Sequence, residues 1–125
     1  MKFLDLVEDA INKLGAQGEL AKEDDSPRCW YSLVKNGKEL RCIVGHMMPE
    51  EVAQVADGEI QTLEFSYEPL VAEWAKQFSE PEVEFLQELQ NIHDLNDHFT
   101  MAEIIGLMRE ALNREKLYGT TRRAE

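Results

Sequence analysis

Residues 79–112 read SEPEVEFLQELQNIHDLNDHFTMAEIIGLMREAL, and their pattern decides the fold. Ser79 with Glu82 three positions on is a capping box. The serine oxygen takes an otherwise orphaned amide of the first turn, and the glutamate returns to the serine amide. Thr100 and Glu103 repeat the device. Behind the first box Val83, Phe85, Leu86, Leu89 and Ile92 share one broad face, and behind the second Ile104, Ile105, Met108, Ala111 and Leu112 do the same. The polar connector from His93 to Phe99 is short, which favours antiparallel neighbours. Two capped amphipathic helices in succession predict a helical core.

Working outward, Phe3, Val7, Ala10, Ile11 and Leu14 predict a first amphipathic helix with Gly15 as its stop. Gly15 to Pro27 reads as a loop. Cys29 to Val34 is rich in aromatic and β-branched residues, and Asn36-Gly37 supplies the two positive-φ residues of a type I′ turn. Leu40 to Val44 is the expected return strand. Pro49-Glu50-Glu51 opens a short helix to about Ala56, closed by Asp57-Gly58. Gly58 to Phe65 fits either an extended link or a helical turn. Ser66 is then a candidate N-cap for an apolar face of Leu70, Val71, Trp74 and Phe78. The expected architecture is α+β: a mostly helical single domain over residues 1–118, about five helices packed with a two-stranded β-hairpin, and a polar tail over 119–125.

Composition narrows the function. A chain of 125 residues suits one domain. The formal net charge is −12, and residues 47–112 carry fifteen acids against the two bases Lys76 and Arg109. A field of that sign repels nucleic-acid phosphates and anionic lipid, so direct nucleic-acid binding and membrane association are not expected. Acids at Asp5, Glu8 and Asp9 interrupt what a signal peptide would need as its apolar core, and the expected address is the cytoplasm. Cys29 and Cys42 are expected as free thiols in that compartment. The sequence contains no Walker loop, dinucleotide glycine fingerprint, serine elbow or Cys-x-x-Cys pair, and no cofactor is implied.

One constellation carries possible chemistry. Cys42, His46 and His93 are candidate zinc ligands, with His98 nearby in sequence, and Cys42 and His46 would share a face if their segment were helical. Cys42 as nucleophile with His93 as base and Asp94 beside it would make a hydrolase arrangement. Asp94 directly follows His93 on a helix, so it is expected to point elsewhere and to orient the ring poorly. The blander reading is structural: Cys42 among Leu40, Ile43 and Val44 behaves as a small hydrophobe, and His93 serves a helix C-terminus. Trp30, Trp74, Met47 and Met48 read as core. Glu82, Glu84 and Glu88 are the candidate binding acids, on a face that would otherwise only be solvated.

Arg41-Cys42-Ile43-Val44-Gly45-His46-Met47-Met48-Pro49-Glu50-Glu51, with Gly58, and the later Leu86-Gln87-Glu88-Leu89-Gln90-Asn91-Ile92-His93-Asp94 resemble a family of small uncharacterised proteins of bacteriophages and bacterial genomes. Its pattern is a short hairpin leading into Cys-x-x-Gly, then Pro-acid-acid, and later a Leu-Gln-x-x-His-Asp helix end. The positions that correspond are Cys42, Gly45, Pro49, Leu89, Gln90, His93 and Asp94, and the likeness spans residues 28–98. It implies a phage-type accessory protein that acts by non-catalytic binding to a protein of host or phage, including inhibition of a host factor. The alternative is a small cysteine/histidine enzyme or metal-binding protein using Cys42 and His93.

Overall fold

The computed structural model describes residues 2–21, 30–94 and 99–119. Helix α1, Phe3–Gln17, buries Val7, Ala10, Ile11 and Leu14. It runs through Gly15 and stops at Gly18, whose φ of 82° lets its amide reach the carbonyl of Leu14. Both glycines were open to the role, but only the second takes the left-handed conformation that ends a helix. The expected stop at Gly15 is thus corrected by three residues.

Strands β1, Leu33–Lys35, and β2, Lys38–Leu40, form the antiparallel hairpin in the register Leu33↔Leu40, Val34↔Glu39 and Lys35↔Lys38. Asn36 at φ 53° and Gly37 at φ 77° make the tight turn between them. The ribbon is shorter than expected at its open end, where β1 starts at Leu33 and β2 stops at Leu40, and reaches closer to the turn, to Lys35 and Lys38. Leu40, Cys42, Ile43 and Val44 are all buried, and a strand would have sent alternate side chains to opposite faces. The chain instead curls after Leu40. The His46 amide donates to the Cys42 carbonyl at 3.0 Å, and Gly45–Met47 form a single 3-10 turn.

Helix α2 spans Glu50–Ala53, behind Pro49. Ile60–Phe65 form a 3-10 helix, which settles the open choice there in favour of the helical form. Helix α3, Pro69–Ala75, begins after Glu68 rather than Ser66. Ser66 serves the link instead, its hydroxyl accepting from the Glu68 amide at 3.1 Å. Helices α4, Glu80–His93, and α5, Met101–Tyr118, carry complete capping boxes. The Ser79 amide donates to Glu82 Oε1 at 2.8 Å, and the Thr100 amide to Glu103 Oε1 at 2.9 Å.

The molecule is thus a mostly helical domain with a two-stranded hairpin, as expected. α5 packs on both α1 and α4, the 3-10 helix packs on α3 and α4, and the Gly45–Met47 turn packs on α1. Phe85, Leu86 and Leu89 of α4 meet Ile104, Met108, Ala111 and Leu112 of α5 in the same core as the apolar face of α1. Trp74 and Phe78 are half-buried against it, with Phe3 edge-on to Phe78 at 5.8 Å and to Phe85 at 6.2 Å. Met48 is buried and Met47 half-buried, as core-filling side chains. Among the described residues no helix is long and apolar enough to cross a membrane. The expected loop residues 22–27, Cys29, His98 and the tail after Gly119 lie outside the described residues.

Candidate functional site

The Cys-x-x-Gly-His segment is built as a crossroads between α1, the hairpin and α2. Gln17, at the last turn of α1, anchors it. Its side-chain oxygen accepts both the Arg41 amide and His46 Nε2, each at 2.9 Å, and its side-chain nitrogen donates to the Arg41 carbonyl at 3.0 Å. Arg41 continues the network outward. Its Nε pairs with Glu39 at 2.8 Å, and its Nη1 donates to the Met48 carbonyl at 3.2 Å. One guanidinium thereby satisfies a carbonyl at the end of the 3-10 turn, which has no partner further along a helix.

Inside this frame the Cys42 thiol faces the core. Cys42 is 1% exposed, and its Sγ accepts the Gly45 amide at 3.3 Å. Burial, opposed by backbone hydrogen bonds from Gly45 and Val44 and aided by the charge of Asp94, pushes the thiol up to about 12. A nucleophilic or metal-binding cysteine needs the opposite shift, towards thiolate near neutrality. His46 is held down to about 4, first by desolvation and then by the positive charges of Arg41 and Lys13. Its ring is therefore neutral at pH 7, with Nε2 occupied by Gln17.

His93 closes α4 and is fully buried. Its Nδ1 stands 3.6 Å from Asp94 Oδ1, so Asp94 lies beside the ring rather than elsewhere, but this contact is too long to orient it. The ring nitrogen nearest the backbone is within reach of a short carboxylate on the next residue at the helix end. Among the described residues no group of three or more histidine, cysteine, aspartate or glutamate side chains is arranged to hold a metal ion. Cys42 is engaged by Gly45 and His46 by Gln17, so the zinc candidates turn to different partners.

The three candidate acids separate as well. Glu82 is buried and its carboxylate completes the cap of α4. Glu88 pairs with Arg114 of α5. Glu84 alone of the three is exposed and outside the ion pairs found among the described residues.

A different surface was hidden from sequence reasoning. Phe65 is 76% exposed, Tyr67 103% and Leu70 53%, within six consecutive residues at the junction of the 3-10 helix and α3. Leu70 was expected on the apolar face with Val71. Val71 is buried, and Leu70 is turned to solvent. A signal for Phe65 was present. Ile60 and Leu63 are three apart and both buried, and Phe65 falls two residues further on, off that face. Comparison with protein-family models, with curated proteins and with solved structures returns no match.

Proposed function

We propose that this chain is a non-catalytic protein-binding domain, a phage-type accessory protein that engages and inhibits a basic host factor in the cytoplasm. The observation that carries the reading is an uncompensated acidic surface. Glu50, Glu51, Glu59, Glu64, Glu68 and Glu73 are exposed, and none of them joins an ion pair among the described residues. Intramolecular charges that are left open favour encounter with an oppositely charged partner, chiefly through the association rate. The sealed Cys42 and the neutral, engaged His46 favour this reading over a cysteine/histidine enzyme.

The test is affinity capture from a bacterial host lysate by the wild-type protein and by the Glu64→Lys/Glu73→Lys/Glu84→Lys variant. A discrete basic protein should be retained by the wild type at physiological salt. It should be lost in the variant and at 1 M salt, where the screening length falls to about 3 Å. Equal capture by both proteins at both salts would remove the reading.

A further inference from the structure

We propose that Phe65, Tyr67 and Leu70 are the apolar anchor of that interface, and that its occupant is a basic amphipathic segment of a partner protein. The inference rests on the protein-binding reading and goes further by naming a place and a chemistry. Large apolar side chains scattered singly on a surface need no explanation. Three within six residues, two of them aromatic, depart from that pattern, and aromatic side chains are over-represented among the residues that dominate interface energies.

The backbone beneath them is already organised. Ile60 and Leu63 on one side and Val71 on the other are buried. The Ser66 hydroxyl pins the link by accepting the Glu68 amide, and Pro69 opens α3 with a fixed φ. With the backbone already fixed, a partner that covers these side chains does not also have to order the chain that carries them. Tyr67 is wholly exposed, so the fold itself makes almost no use of its ring.

Charge selects the occupant. Glu68 lies between Tyr67 and Leu70, and Glu64 and Glu73 flank the three apolar residues on either side along the chain, all three acids being exposed. A second copy would bring a like set of acids to the contact, on a chain whose net charge is already −12. Anionic lipid and nucleic acid meet the same repulsion. A segment with apolar side chains on one face and lysine or arginine around them satisfies both features, and its cations can also lie against the Phe65 and Tyr67 rings.

The probe is a fluorescein-labelled peptide of lysine and leucine at amphipathic helical spacing, followed by fluorescence anisotropy. Oligolysine of the same length and a glutamate–leucine counterpart serve as controls. The lysine–leucine peptide should bind the wild type, and Tyr67→Ala or Phe65→Ala should weaken it about thirtyfold or more, the scale of an interface hot spot. Oligolysine should bind more weakly and be indifferent to Tyr67→Ala, and the glutamate peptide should not bind. Circular dichroism should be unchanged in Tyr67→Ala. Suppose peptide binding survives both aromatic substitutions but falls in Glu64→Lys/Glu73→Lys/Glu84→Lys. The anchor is then overturned while the acidic-interface reading stands. No binding of the lysine–leucine peptide overturns the proposal outright, and absence of any captured basic protein as well removes the reading beneath it. A dimer in sedimentation that Tyr67→Ala dissolves would assign the surface to a second copy and overturn the basic occupant.

Discussion

Gly45 lies so close to the backbone of Tyr31 that a Cβ on it would overlap the Tyr31 carbonyl oxygen. The glycine of the Cys-x-x-Gly motif is therefore explained by packing of two chain segments. Tyr31 is held from its other end too, its hydroxyl donating to the Gly58 carbonyl at 2.8 Å. Neither backbone can withdraw cheaply. Gly45→Ala is expected to lower stability by about 1–3 kcal/mol, the range for inserting a carbon into a packed site. Urea denaturation checks it, and an unchanged midpoint would refute the close approach.

The neutral, part-buried ring of His46 makes the fold sensitive to acid. Its folded value of about 4 lies below the ordinary 6.5, so the unfolded chain binds a proton more readily. The stabilisation is complete above pH 6.5 and is lost as pH falls from there through 4. His46→Gln, which keeps a side-chain donor near Gln17, should flatten the stability profile across that window relative to the wild type. The carboxylates titrate in the lower part of the range in both proteins, and the difference between the two profiles isolates His46. Identical slopes from pH 6.5 to 5 would contradict the assignment.

Cys42 acts at the alkaline end, with the opposite sign. Its folded value of about 12 lies above the ordinary 9.0, so the folded state keeps the proton longer. Its contribution is intact below pH 9 and is lost as pH rises through 12, with a limiting slope of about 1.4 kcal/mol per pH unit. Cys42→Ala should be less steeply destabilised than the wild type above pH 9. Thiol reagents offer a second measurement. Cys42 should label in the native protein only as fast as the core opens, and immediately in denaturant.

The hairpin turn offers a local test. Asn36 and Gly37 both sit at positive φ, and Gly37→Val forces a β-branched side chain into that region. The expected loss is about 1–3 kcal/mol, read as a lower thermal midpoint. Asn36→Gly, which tolerates the same conformation, should leave the midpoint nearly unchanged.

What was legible in the sequence was local. Ser79 with Glu82, Thr100 with Glu103, and Asn36 with Gly37 each act over at most three residues, and each does in the structure what its spacing implies. The boundaries set by distant packing were not legible. Leu40 to Val44 has strand composition, yet burial of four of its residues together curls it into a turn. Gly15 and Gly18 look alike until one of them takes positive φ. Gln17 gave no signal at all, because its partners Arg41 and His46 are 24 and 29 residues away. The candidate surface at Phe65, Tyr67 and Leu70 was masked for a different reason. Leu70 sits in a helical apolar pattern with Val71 and was read as core with it, and only the fold shows that Val71 is covered and Leu70 is not.

The Gln17 contacts bear on how the molecule opens. The Arg41 amide belongs to no helix or strand, yet it is held by a side chain from the far end of α1. For that amide to meet solvent, the end of α1 must let go of the segment that follows the hairpin. Hydrogen exchange at Arg41 should therefore be slow for an irregular residue, and should share its opening free energy with amides near Leu14 rather than with those of the short hairpin. Gln17→Ala would separate the two. The Arg41 amide would then exchange at the rate of a loop while the interior of α1 stayed protected, so that one glutamine side chain sets whether this irregular amide opens with the helix or by itself.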